Sequence, residues 1–187
     1  MTSNPPPRKL RVDAERNRAR VLEVAAEVFA AEGLSVPVHE IARRAGVGTG
    51  TVSRHFPTKE ELFAAILFSR MEQLTAEADA LMRTQAAGPA FFTFFATVVR
   101  AGSANRGLAE ALAGAGYDLE AAAQAGFDVS GRLRDLLTRA QQDGAIRADV
   151  GFADIKALMA GCLTRDGGDA ALDPMIEVIC QGLRAKP

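Results

Sequence analysis

Cysteine and histidine are scarce in this chain of 187 residues, with two of each. Cys162 and Cys180 both fall inside apolar helical patterns, which excludes a disulfide framework and reads as two buried, reduced thiols. No His or Cys stands at metal-ligand spacing from either, so a zinc or redox-sensing site has no support. Long apolar runs are also missing. The longest, around Phe91 to Val99, stops far short of the ~20 residues that cross a bilayer, and the Pro-rich start has no hydrophobic signal region. We therefore expect no membrane association and a cytoplasmic location. Paired catalytic carboxylates, a Glu-x-x-His motif and any strand-period segment or internal repeat are absent too, so an enzyme on a helical bundle is a poor reading. Gly48-Thr49-Gly50 has no Gly-Lys-Ser/Thr after it and no strand before it, which removes a nucleotide-binding loop. No cofactor is expected.

What the chain does have is 48% apolar residues, enough for a real core, and a charge balance that shifts along its length. Up to Leu62 there are ten Lys/Arg against eight Asp/Glu; the remainder carries twelve against fifteen. Arg8, Lys9, Arg11, Arg16, Arg18 and Arg20 cluster near the start, and Arg43, Arg44, Arg54 and Lys59 follow, available to phosphates or to a solvated helix face.

The periodicity is helical throughout, and the fold class expected is all-α with about nine helices. Residues 1–9, with Pro5, Pro6 and Pro7, read as a flexible arm. Leu22, Ala25, Ala26 and Phe29 mark a first helix from Asp13, a candidate N-cap, to Glu32. Two short helices follow, Val38 to Ala45 and Thr49 to His55, broken at Gly46 and ended by Pro57. Thr58 with Glu61 three residues on starts a fourth helix. Further helices are expected from Pro89 through the Phe-rich segment, in the Gly-rich stretch 102–117, over Leu119 to Gln142, over Phe152 to Thr164, and over Pro174 to Arg184 after a turn at Asp166-Gly167-Gly168-Asp169. Residues 10–62 form the first domain expected and 63–187 the second.

Ile41-Ala42-Arg43-Arg44-Ala45-Gly46-Val47-Gly48-Thr49-Gly50-Thr51-Val52 has the spacing of a helix-turn-helix. Two helices crossing through a tight turn need a small residue at the contact, Ala42, and one that accepts left-handed backbone, Gly46. The second helix is then free to reach a major groove with Thr49, Thr51, Ser53 and Arg54 exposed. The run from Glu40 through Phe63, with Ala25-Ala26-Glu27-Val28-Phe29 and Gly33 before it, resembles the DNA-binding segment of TetR-family regulators. Gly144-Ala145-Ile146-Arg147-Ala148-Asp149 also resembles a turn common in that family. The resemblance implies that Thr49, Gly50, Ser53 and His39 approach bases while Thr51, His55 and Lys59 meet phosphates. Ser, Lys and Tyr are frequent in the family where this chain has Gly48, Thr49 and Ser53, so Arg54 is expected to compensate. Lys59 opposes the dipole of the helix it starts, which suggests an outside reward for a cation.

The resemblance further implies a repressor that binds palindromic double-stranded operator DNA as a homodimer and is released by a small-molecule effector. A helix-turn-helix protein without an effector is the alternative. In the second domain Phe91, Phe95, Leu112, Phe127 and Met159 read either as plain core or as the lining of an effector site, with Arg100, Asn105 and Tyr117 as polar groups to orient a ligand. The aromatic content points to a hydrophobic effector, and a Phe-rich core without a ligand would read the same.

Overall fold

A computed structural model describes residues 8–116, 127–164 and 168–185, with side chains from 13 onward in the first stretch and from 170 onward in the last. Among the described residues there are nine helices and no strand: α1 Arg8–Glu32, α2 Val38–Ala45, α3 Thr49–His55, α4 Lys59–Thr84, α5 Ala87–Ala104, α6 Arg106–Gly114, α7 Val129–Gln142, α8 Phe152–Leu163 and α9 Gly168–Leu183. The chain divides into two compact units. Unit 1 is Met1–Ser69 with Gly107–Tyr117, and unit 2 is Arg70–Arg106 with Asp118–Pro187.

In unit 1 the apolar repeat of α1 buries Val21, Leu22, Ala25, Val28 and Phe29, while Ala26 stays half-buried. α1 packs on α2 and α3, and α2 on α3. The helix starts at Arg8 rather than at Asp13, taking in Arg8 and Lys9 from the expected arm. Good helix formers dominate this stretch: Lys9, Leu10 and Arg11 favour helix more than Asp13 favours a cap, so Asp13 lies inside the helix rather than at its start. α4 is capped as expected, the Glu61 amide donating to Thr58 Oγ1 at 3.1 Å. Phe29 meets Phe63 edge-on with ring centroids 5.0 Å apart. Leu108 and Leu112 of α6 are buried, and both belong to unit 1.

Unit 2 is built around α5, whose Phe91, Phe94, Phe95 and Val99 have no exposed surface. α7, α8 and α9 all pack on it, and Leu133, Leu136, Leu137, Ile155, Cys162, Leu172 and Ile176 complete the core. Burial pushes the Cys162 and Cys180 thiols above their ordinary range. α7 begins at Val129, where Asp128 accepts from the Gly131 amide at 2.7 Å; the expected start at Leu119 falls outside the described residues. α9 starts at Gly168, six residues before Pro174. The Gly-Asp sequence suggested a turn, but Leu172 and Ile176 bury on one face, and that burial carries the helix through Pro174 despite the backbone donor it lacks.

The 144–149 turn ties down the end of α9. Ile146 is buried, the Arg147 amide donates to the Leu183 carbonyl at 3.0 Å, and the Ala185 amide donates to the Ala145 carbonyl at 3.2 Å. The same turn explains a glycine at the start of α5: a Cβ on Gly88 would come within 2.6 Å of the Ala145 Cβ. Gly88→Ala is therefore expected to destabilise the protein by about 1–3 kcal/mol in urea unfolding. Adding Ala145→Gly should recover most of that loss, and no recovery would mean the cost lies in something other than this contact.

Candidate nucleic-acid interface

The α2–α3 turn follows from two small residues. Gly46 takes φ 70°, ψ 29°, left-handed backbone that a side chain would strain, and the Val47 amide donates back to the Ala42 carbonyl at 3.0 Å. Ala42 is 1% exposed, small enough to sit at the helix contact, and Ile41, Ala45 and Val52 fill the wedge. Pro37 starts α2 with φ −72°, offering a preset backbone angle and no capping oxygen. The C-cap residue Phe56, buried, ends α3 before Pro57.

Burial of Val52 fixes which side of α3 faces outward. Thr49, Gly50, Ser53 and Arg54 are exposed and form one continuous face, with Thr51 half-buried and His55 exposed at the end. His39 is exposed on the first turn of α2. The structure thus brings Thr49, Gly50, Ser53 and Arg54 together on a single face. Arg54 has no hydrogen-bond or ion-pair partner among the described residues. The turn between the helices and the outward face of the second can present side chains to base edges in a major groove.

Several cations the sequence left open to phosphate have partners inside unit 1. Arg43 bonds Glu40 at 2.7 Å, Arg44 bonds Glu40 at 2.7 Å, and Arg44 also pairs with Glu32. The hydrogen bonds from Arg43 and Arg44 hold the Glu40 carboxyl well down, at about 2, and that from Arg44 lowers Glu32. Lys59 Nζ lies 5.7 Å from the Phe29 ring centroid and 5.8 Å from that of Phe63. The reward for a cation at the start of α4 is thus available within the unit, as attraction to two ring faces. Arg20 Nε donates to the Ala45 carbonyl at 2.8 Å, tying α1 to the end of α2. The Glu40 pairs are legible as i, i+3 and i, i+4 neighbours; the Glu32–Arg44 pair, twelve residues apart, is not.

The residues singled out in the second half do not converge. Phe91 and Phe95 are fully buried, with ring centroids 6.1 Å apart, and Met159 packs partly buried against the same core. Phe127 is half-buried. Arg100 pairs with Asp173 at 2.8 Å. Asn105 ends α5, its side-chain amide donating to the Ala101 carbonyl at 2.8 Å. Leu112 belongs to unit 1, and Tyr117 lies outside the described residues. Among the described residues no group of three or more His, Cys, Asp or Glu could hold a metal, and no helix is long and apolar enough to cross a membrane.

Comparison with known proteins decides what this helix-turn-helix belongs to. Residues 21–66 match bacterial regulatory proteins of the tetR family, and residues 86–185 match the C-terminal domain of SbtR-like transcriptional regulators. The chain belongs to the TetR family of transcriptional regulators. A TetR regulator from Mycobacterium vanbaalenii is 47% identical over 94% of this chain and 99% of its own, with a TM-score of 0.77. A second, from Streptomyces coelicolor, is 28% identical over 91% of this chain and 99% of its own, also at TM-score 0.77. The HTH-type transcriptional regulator SrpR of Pseudomonas putida is 44% identical over 68 residues, 36% of this chain and 32% of that protein. For TtgW of the same species the match spans 36% of this chain and 51% of that protein. Family membership makes the chain a DNA-binding transcriptional regulator, and members of this family are regulators rather than enzymes.

The ion pairs set a pH dependence. A carboxyl held at about 2, against 4.5 when unpaired, contributes stability that is complete above 4.5 and is lost as pH falls toward about 2. Glu40→Gln should therefore flatten the acid side of the unfolding profile between those values, read by circular dichroism. A profile identical to that of the natural protein would show that the Glu40 pairs contribute nothing to stability.

Proposed function

We propose that the chain is a repressor that binds a palindromic operator as a homodimer and releases it when a small effector binds unit 2. The observation that carries this reading is the outward face of α3, which exposes Thr49, Gly50, Ser53 and Arg54 together, where they would read bases. Thr51, His55 and His39 flank that face and would contact backbone or neighbouring bases; Lys59, seated over two rings, would reach a phosphate only from that position.

Two-fold recognition needs a self-complementary surface. Among the described residues the exposed large apolar side chains are Leu158 on α8 and Val178 on α9, the latter 69% exposed. Ala153, Ala157, Ala160 and Gly161 are exposed on α8 and Ala170, Pro174 and Gly182 on α9, giving small, apolar surfaces that a second copy could cover. The two recognition helices of such a dimer would read half-sites about 34–36 Å apart, or a multiple of that. α4 contributes its first residues to unit 1 and its later ones to unit 2, which makes it the element through which an effector would act, with a coupling of about 1–3 kcal/mol.

An effector would meet Phe127, Met159 and Arg100, which keep some exposed surface, before it met Phe91 and Phe95, which have none. The complete burial of those two rings favours the second reading, a DNA-binding regulator whose unit 2 only dimerises. Operator release by a hydrophobic compound in a binding assay separates the two.

Selection from random duplex DNA at near-physiological salt tests the main reading. The natural protein should enrich one palindrome, and Ser53→Ala or Arg54→Ala should relax it at particular base pairs, each at about 1–3 kcal/mol. Sequence-indifferent binding would refute operator recognition. Val178→Glu should shift the protein from dimer to monomer in sedimentation and weaken binding to the palindrome more than to a single half-site; an unchanged dimer would place the interface elsewhere.

A further inference from the structure

We propose that Arg54 reads a guanine through the major groove, so that each half-site of the operator carries one dominant G·C pair. This rests on the operator reading above and names the base that α3 selects. In the major groove each base edge presents a fixed set of groups. Guanine offers two acceptors, N7 and O6; adenine offers one acceptor and one donor, cytosine a donor, and thymine an acceptor beside a methyl group. A side chain discriminates sharply when two of its own groups must match two on one edge.

Among the exposed residues of α3, Arg54 alone meets that condition. Thr49 and Ser53 each carry one hydroxyl, donor and acceptor alike, which suits several edges, and Gly50 carries no side chain. The two ring nitrogens of the exposed His55 point apart and cannot close on one edge. α3 has no Asn or Gln to pair with adenine at two points, and no Asp or Glu to accept from cytosine. The Arg54 guanidinium holds its N–H donors in a fixed fork and has no acceptor, which matches N7 and O6 of guanine and opposes the donor on adenine or cytosine.

The fork is also free to be used. Arg43 and Arg44 are held by Glu40 and Glu32, Arg20 donates to the Ala45 carbonyl, and the Arg18 guanidinium lies 5.4 Å from the centroid of the Phe56 ring. Arg54 has no hydrogen-bond, ion-pair or ring partner among the described residues. A helical side chain leans over the turn before its own, which for Arg54 is the turn of Gly50. That turn is open, since a Cβ on Gly50 would meet nothing within 4 Å. The long Arg54 side chain can therefore lie across Gly50 to a base edge without displacing a neighbour.

The test combines Arg54→Ala with base analogues, using the full chain and the palindrome it enriches. Selection with Arg54→Ala should lose its preference at one G·C pair in each half-site and keep it elsewhere. The urea midpoint should stay unchanged, because the side chain lost is exposed and has no partner. At that pair 7-deazaguanine, which lacks the N7 acceptor, should weaken the natural protein roughly tenfold and leave Arg54→Ala unaffected. Hypoxanthine keeps N7 and O6 and lacks only the minor-groove amine, so it should bind as guanine does. Relaxation at an A·T pair overturns the proposal, as does indifference of the natural protein to 7-deazaguanine. A uniform loss on every sequence, with the slope of log affinity against log salt lower by about 0.9, would make Arg54 a phosphate contact and overturn it too. A natural protein that enriches no palindrome overturns the operator reading itself, a result distinct from these.

Discussion

α3 is seven residues long, too short to persist on its own hydrogen bonds, and the base reading proposed for it depends on how it is held. Its one fully buried side chain is Val52, with Phe56 buried just beyond its last turn. These two set the rotation of the helix: with Val52 turned inward, Thr49, Gly50, Ser53 and Arg54 can only face outward. The partner surface for Val52 exists because Ala42 lets α2 come close and Gly46 turns the chain through left-handed backbone. A larger residue at 42 or a side chain at 46 would move α3 before it touched any base.

Electrostatics in unit 1 separate cations that build the unit from cations left for a partner. The Glu32, Glu40, Arg43 and Arg44 cluster joins α1 to α2, and Lys59 closes the unit over Phe29 and Phe63. Those contacts are exposed and individually modest, since solvent screens them. Their consequence for function is subtraction, because a guanidinium shared by two carboxylates presents little net charge to a phosphate. The net charge of −1 for the whole chain therefore says less about DNA binding than the location of the unpaired arginines.

Much of this was legible in the sequence where the chain is punctuated. Gly46 and Pro57 bound α2 and α3 so tightly that both helices fall at Val38–Ala45 and Thr49–His55, as the spacing predicts. Starts without such a stop fall elsewhere: Asp13 looks like a cap inside a helix that runs from Arg8, and Gly168-Asp169 looks like a turn where α9 already begins. In both places neighbouring helix formers or buried side chains outweigh a local preference. The exposed face of α3 could be read from position alone. Pairings across elements could not, so Glu32 with Arg44, Lys59 with two phenylalanines and Leu112 in unit 1 emerge only from the fold.

Unit 2 stands on α5 and its phenylalanines, and its last two helices carry the exposed apolar side chains Leu158 and Val178. The account therefore assigns reading to α3 and pairing to α8 and α9. Backbone amide NMR of the full chain, titrated with its enriched duplex, tests that assignment most directly. The account predicts the largest shifts at Thr49, Gly50, Ser53 and Arg54, with α8 and α9 unmoved. Shifts confined to α8 and α9, with α3 silent, would contradict it.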